Sequence, residues 1–177
     1  LSLDGGMSAG TTKLDWLDEL DIELGELLIG AQRFSPLHIR GQFSNGLAEL
    51  SFTGPQLTGT LIQEKANRYR VNLQTLALQR PSSSDSRATT RTSPSGWPTL
   101  DILIKRLILD GRELGQLRLQ VQAQANGVRF DPLELDGPLG QVRASAEWLI
   151  GAGQQHTRVN LRWSSDDLAR ALASLGL

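Results

Sequence analysis

The sequence has no cysteine, only two histidines and a single methionine among its 177 residues. The lack of cysteine excludes disulfide bonds, thiolate metal sites and cysteine nucleophiles, but it does not identify the compartment. With 18 lysines and arginines against 19 aspartates and glutamates, neither sign of charge dominates. Because nucleic-acid-binding surfaces concentrate positive charge, this balance predicts no nucleic-acid partner.

Long apolar runs are also absent. No stretch approaches the roughly 20 apolar residues that a membrane-spanning helix needs. The first residues do not combine a basic region, an apolar stretch and a cleavage site, as a signal peptide does. The chain opens at Leu1, without an initiator Met and within an apparent strand. We therefore expect a piece of a longer protein, with any membrane anchor or export signal outside it.

Enzyme motifs are missing too. His38 and His156 are the candidates for a base at neutral pH, and neither belongs to a motif. HExxH, GxSxG, phosphate-binding and dinucleotide-binding patterns do not occur. The acidic cluster in residues 15–21 lacks EF-hand spacing, so we interpret it as solvated surface charge. The sequence predicts no catalytic residues, no metal site and no cofactor.

What the sequence has is alternation of apolar and polar residues. From Gln116 to Gln124, every second residue is apolar and the residues between are Gln or Arg. A period of two is typical of a β-strand with one buried face. Three more segments follow the same rule. The apolar members of the four are Leu117, Leu119, Val121, Val128, Phe130, Leu133, Leu135, Val142, Trp148, Val159, Leu161 and Trp163.

Turn signals separate these segments. Asn126-Gly127 favours a tight hairpin, because both positions accept positive φ, and Gly137-Pro138 turns the chain again. The apolar positions shift from even to odd at Asp131-Pro132, which predicts a bulge that recovers the face. The pattern predicts four consecutive antiparallel strands with the same side apolar.

The first half repeats this plan. Asn45-Gly46 and Gly54-Pro55 precede the corresponding turns of the second half by 81 and 83 positions. Such spacing indicates an internal duplication of one supersecondary unit. The apolar members of the alternation in this half are Leu37, Ile39, Phe43, Leu50, Phe52, Leu57 and Leu61.

Between the halves, Arg80 to Pro98 consists largely of Ser, Thr, Pro and Arg, which is typical of a flexible loop. We divide the chain into a first β repeat at 1–79, this loop at 80–98, a second β repeat at 99–164 and a C-terminal segment at 165–177. That last segment begins with an N-cap serine and two aspartates, and its leucines share one helical face. It predicts a short amphipathic helix.

Periodicity leaves two architectures open. One-sided strands usually pack against a second sheet in a sandwich or close into a barrel. The alternative is an open, curved sheet whose apolar face stays available to a ligand. A large exposed apolar patch is rare on a soluble protein unless something binds there.

The second half resembles a known family. Its stretches WPTLDILIKRLILDGRELGQLRLQ, NGVRFDPLELDGPLGQVRASAEW and TRVNLRWSSDDLARALASLG are similar, in order and spacing, to the AsmA-like domain of large Gram-negative envelope proteins typified by YhdP, which are relatives of TamB and AsmA. The first half matches through Leu27 to Gly30 and Gly54-Pro55.

The resemblance implies a mainly β fold of antiparallel meander repeats that forms a curved, open half-pipe. Such a half-pipe would be anchored in the inner membrane, cross the periplasm and carry phospholipid toward the outer membrane. Its partners would be phospholipid acyl chains and the flanking repeats of the same full-length protein. The nineteen apolar residues named above would then line the groove.

Two other functions stay open at this point. The chain could be a scaffold that bridges the envelope or docks a partner through its sheet edges, without conducting lipid. It could also be an enzyme domain such as a glycan hydrolase built on a β-sandwich, because the sequence does not exclude a catalytic site among its aspartates and glutamates.

Overall fold

The computed structural model describes residues 18–30, 32–44, 46–80, 96–151 and 154–165. Within these ranges the chain is mainly β and contains no helix, as the alternation predicts. Apart from Ser165, the predicted C-terminal helix lies outside the described residues. The strands are β1 (Glu19–Leu24), β2 (Leu27–Ile29), β3 (Gln32–Phe34), β4 (Leu37–Ser44), β5 (Leu47–Thr53), β6 (Leu57–Lys65), β7 (Arg68–Leu78), β8 (Thr99–Leu109), β9 (Arg112–Gln124), β10 (Gly127–Gly137), β11 (Gly140–Gly151) and β12 (Gln154–Ser164).

Ten of these strands form one sheet in the order β1-β4-β5-β6-β7-β8-β9-β10-β11-β12. The sheet is open, because β1 and β12 stand at its two edges and do not pair with each other. This confirms the open, mainly antiparallel fold and excludes the barrel. Across the described ranges, the second layer of strands is limited to the β2–β3 hairpin.

The turns of the second half lie where the sequence predicts them. The Asn126-Gly127 turn joins β9 to β10, and the chain turns again between Gly137 and Gly140. The register of β10 shifts between Phe130 and Leu133 against both of its neighbours, which is the predicted bulge. The bulge brings the odd-numbered apolar residues onto the face that the even-numbered ones left.

A parallel pair, β7 with β8, interrupts the antiparallel order. Because both strands run in the same direction, the chain has to return from one end of the strands to the other between Leu78 and Thr99. This region contains the predicted loop. Five strands of the sheet lie on each side of this junction. The two sides differ in one connection: β8 reaches β9 through Asp110-Gly111, whereas β1 reaches β4 through the β2–β3 hairpin. The division into repeats at 1–79 and 99–164 stays a prediction.

Gly115 is a position where the fold tolerates no side chain. Its φ is +109°, and an added Cβ would lie 2.1 Å from the carbonyl oxygen of Asp136 on β10. Steric contact with the backbone cannot be relieved by a rotamer change, and positive φ strains any L side chain. Gly115 thus allows β9 and β10 to approach closely where Gly137 ends the strand.

We expect Gly115→Ala to lower the free energy of unfolding by about 2 kcal/mol, since the backbone of β10 must move. Chemical denaturation followed by circular dichroism measures this. Gly25→Ala is the control, because no atom lies within 4 Å of its added Cβ. Equal stability of the two variants would contradict the close approach.

Candidate functional site

Two rows of residues without a polar side chain cross the sheet on one face, with one member on each of the ten strands. Cross-strand partners point to the same side, so the pairing register itself defines the rows. The first row is Ile22, Ile39, Phe52, Gly59, Leu73, Ile104, Leu117, Leu135, Val142 and Trp163. The second row is Leu20, Gly41, Leu50, Leu61, Val71, Ile102, Leu119, Leu133, Ala144 and Leu161. We call this side of the sheet the apolar face.

All nineteen residues predicted as groove lining lie on the apolar face. The sequence prediction omitted the parts of this face that β1, β7 and β8 supply. Val71 and Leu73 alternate with polar residues, as do Ile102 and Ile104 in part, so the signal was present. The pairing register shows that the nineteen predicted residues share one face, whereas their contact with lipid stays a prediction.

One part of the apolar face is covered by the chain itself. The β2–β3 hairpin places Phe34 in a buried cluster with Leu37, Leu57, Leu73 and Ile104, and Leu27 packs against that cluster. None of the five residues of the buried cluster, which excludes Leu27, is more than 8% exposed. Over β4 to β8 the hairpin therefore fills space that a ligand would otherwise take.

Polar contacts fix the hairpin to the strand ends beside it. The side-chain amide of Gln32 donates to the Gln79 carbonyl oxygen at 2.6 Å, and the Gln79 backbone N–H donates to the Gln32 side-chain oxygen at 2.9 Å. The backbone N–H of Ser35 donates to Gln56 Oε1 at 2.9 Å. The cover is thus held at several points rather than by apolar packing alone.

At the opposite end of the strands, Trp97 lies across the apolar face. Its ring makes edge contacts with Phe130 at 6.0 Å and with Trp148 at 6.2 Å between centroids. Phe130 and Trp148 are the cross-strand partners of Val121 and Val128, which are 1% and 0% exposed. Four of the predicted lining residues, these two valines with Leu37 and Leu57, are therefore already enclosed by protein.

The apolar face is most open at β12. Val159 and Leu161 are 59% and 65% exposed, although their neighbours on β11, Ala146 and Ala144, point to the same side. Trp163 is held in place, because its Nε1 donates to the Leu139 carbonyl oxygen at 3.0 Å. The small alanines leave a shallow apolar surface between the larger side chains of β10 and β12.

The other face of the sheet is polar. The row between the two apolar rows is polar at nine of its ten positions: Asp21, Arg40, Ser51, Thr60, Asn72, Leu103, Arg118, Glu134, Arg143 and Arg162. We call it the polar row. Charges on this face form exposed cross-strand pairs, such as Arg40 with Asp21 at 3.1 Å. These charged pairs keep the polar face hydrated, so an apolar ligand could bind the sheet only on the apolar face.

The predicted acidic cluster has no metal geometry. No group of metal-binding side chains forms among the residues that the structure describes, while Asp15 lies outside them. Asp21 instead contacts His38 and Arg40, and these hydrogen bonds, led by the one from His38, lower the pKa of its carboxyl below the ordinary 3.8. Its partners are thus the side chains of the neighbouring strand β4, and not a metal ion.

The lowered pKa of Asp21 gives a pH dependence with a defined sign. A carboxyl whose pKa is lower in the folded state adds stability above its unfolded pKa and loses it as the pH falls through the folded value. Asp21→Asn should therefore be less stable than the parent at pH 7 and match it in strong acid. Thermal unfolding of both proteins from pH 7 to pH 2 measures the gap. A gap that persists to pH 2 would assign the effect to something other than the charge.

Comparison with known proteins identifies the family to which the chain belongs. A search of curated proteins and a search of solved structures each found no match. No described helix is long and apolar enough to cross a membrane. The family model described as YhdP protein matches residues 6–177, which is nearly the whole chain. The chain therefore belongs to the YhdP family.

Proposed function

We propose that this chain is a segment of a periplasmic lipid-transfer bridge, whose apolar face holds or conducts phospholipid acyl chains between the inner and outer membranes of a Gram-negative bacterium. The observation that carries the proposal is the pair of apolar rows that crosses all ten strands without a charged residue. Membership of the YhdP family supports it.

The rows have the shape that an extended acyl chain needs. A hydrocarbon chain binds to an apolar surface because contact removes it from water, and burying one methylene contributes about 0.8 kcal/mol. A sixteen-carbon chain along the rows would gain on the order of 12 kcal/mol, comparable to what it loses on leaving a bilayer. Where the apolar face is open, neighbouring strands offer similar aliphatic contacts, so movement of a tail from one strand to the next would cost little free energy there.

The polar groups of the site lie elsewhere, which limits what it can recognise. No charged side chain belongs to either apolar row, so the rows contact tails without specifying a headgroup. The open surface beside β12 is the best place for a tail in this conformation, because the β2–β3 hairpin covers part of β4 to β8 and the protein encloses Val121 and Val128. The flanking parts of the full-length protein and its membrane anchor would continue the path.

A scaffold role is the second candidate. It is favoured by the two sheet edges, since neither β1 nor β12 has an outer neighbour among the described strands. A scaffold would use these edges and leave the apolar face without lipid. The two functions therefore differ in whether lipid stays with the purified protein.

Native mass spectrometry of the purified chain tests this directly. We expect phospholipid to co-purify, and Ala144→Asp to reduce the lipid-bound fraction by about tenfold, which a loss of about 1.4 kcal/mol suffices to give. Ser145→Asp is the matched control, because Ser145 points to the polar face beside Asn160. Circular dichroism verifies that both variants fold. A parent protein without lipid, or equal loss in both variants, would favour the scaffold.

Site-specific photo-crosslinking maps the face that touches lipid. A photoreactive residue at Leu119, on the second apolar row, should label phospholipid several times more than one at Gln120, which pairs with Asp101 on the other face. Because neighbouring positions share the same local chain mobility, the ratio of lipid labelling at the two positions reports which face of the sheet contacts lipid. Equal labelling would count against a one-sided groove.

A further inference from the structure

The β2–β3 hairpin is not needed to hold the ten-stranded sheet together. Its two strands pair with each other in a separate two-stranded sheet, whereas β1 pairs directly with β4. The comparable step from β8 to β9 takes only Asp110-Gly111, whereas residues 25–36 lie between β1 and β4. The longer connection therefore contributes something other than continuity of the sheet.

The hairpin occupies a surface that a lipid tail would use. Leu27 and Phe34 are cross-strand partners, and they bring the hairpin onto the apolar face. Beneath them, Leu57, Leu73 and Ile104 are aliphatic, as are the exposed apolar residues of β12. Apolar side chains of the hairpin and a lipid tail would make similar, non-directional contacts there, so the two compete for one surface.

The packing of the hairpin is concentrated at its base. Leu28 and Ile29 lie nearer its tip and are 39% and 56% exposed, although both are large and apolar. A hairpin that only completed the core would bury such residues, since burial removes apolar surface from water. Its apolar hold on the sheet therefore depends mainly on Leu27 and Phe34.

Water can replace the polar contacts that hold the hairpin. The two hydrogen bonds between Gln32 and Gln79 lie at exposed groups, and the bond from Ser35 to Gln56 is only partly buried. A hydrogen bond exchanged for one to water changes the free energy little, whereas a buried polar group left unpaired costs more. No polar or charged residue in the described part of the chain is buried, so lifting the hairpin isolates none of them from water.

Gly25 provides a hinge at the base of the hairpin. It lies between β1 and β2, and no atom lies within 4 Å of an added Cβ there. Glycine reaches backbone angles that other residues avoid, and hinges are a few residues that absorb such changes. The two ends of the hairpin also lie together, because Ser35 Oγ donates to the Gly25 carbonyl oxygen. A rotation at this base would move the hairpin and leave the pairing of β1 with β4 in place.

We infer that the β2–β3 hairpin is a displaceable cover, which excludes acyl chains from β6 to β8 when docked and admits them when it swings away. The inference rests on the proposed lipid function. The docked and displaced forms are two states in equilibrium, and a tail binds beneath the hairpin only in the displaced state. Its apparent affinity there falls with the fraction of displaced protein. Fixing the hairpin should therefore weaken tail binding in this region alone, and loosening it should strengthen binding.

A reversible crosslink tests the cover. Gln32→Cys with Gln79→Cys introduces the only two thiols, and a short reducible bis-methanethiosulfonate reagent joins them, since the Gln32 side chain reaches the Gln79 backbone. The reporter is a photoreactive residue at Leu76, which pairs with Leu57 and packs against the buried cluster. The protein is incubated with vesicles of phosphatidylethanolamine and phosphatidylglycerol. We expect the crosslink to lower phospholipid labelling at Leu76 by about tenfold, and reduction to restore it. Mass spectrometry measures both the crosslink and the lipid adduct.

A second variant loosens the cover instead of fixing it. Gln32→Ala removes both hydrogen bonds to Gln79 and should raise labelling at Leu76 about threefold. Arg33→Ala is the matched control, because it breaks an ion pair with Glu26 that lies within the hairpin and moves with it. This control should leave labelling unchanged, and circular dichroism verifies that both variants fold. Equal effects of the two substitutions would contradict the role of the Gln32 contacts in holding the cover.

The open part of the apolar face separates failure of the cover from failure of the lipid function. A photoreactive residue at Leu161, which is 65% exposed on β12, should be labelled equally with and without the crosslink. Equal labelling at Leu76 in both states would overturn the cover, as would labelling at Leu161 with none at Leu76 in any sample. Both results leave the lipid function standing. Absence of labelling at both positions would overturn the lipid function, and the cover with it.

Discussion

The alternation of side chains along each strand, kept in register across ten strands, is the constraint on which this structure depends. Because neighbouring side chains point to opposite faces, a slip of one residue would place carboxylates and arginines on the apolar face. The bulge in β10 between Phe130 and Leu133 prevents such a slip where the sequence changes phase. One-sidedness is therefore maintained by backbone hydrogen bonding as much as by composition.

The apolar face is not uniform, and its differences bear on function. The β2–β3 hairpin buries Phe34 over one region, and Trp97 encloses Phe130 and Trp148 at the other end of the strands. Between these covers and the β12 edge, Ala144 and Ala146 leave the surface shallow and open. A hydrocarbon guest would meet enclosed and open stretches of the same face, so occupancy should vary along the rows.

The two edge strands, β1 and β12, are a consequence of the open sheet. An open sheet always leaves two strands with unsatisfied hydrogen-bonding groups, and long exposed edges invite pairing with other chains. Here each edge strand carries one member of both apolar rows. Further strands of the same kind could therefore continue both rows beyond either edge.

The sequence by itself determined strands β4 to β6 and β9 to β12, the turns of the second half, the bulge and the side on which the apolar residues of these strands lie, because each depends on residues close together in the chain. Only the tertiary structure decided the parallel pairing of β7 with β8, the cover formed by Phe34 on residues as distant as Ile104, and the position of Trp97 against Trp148. These contacts join residues far apart in sequence. Local alternation fixes the side on which a residue lies, whereas the folded chain fixes what lies above it.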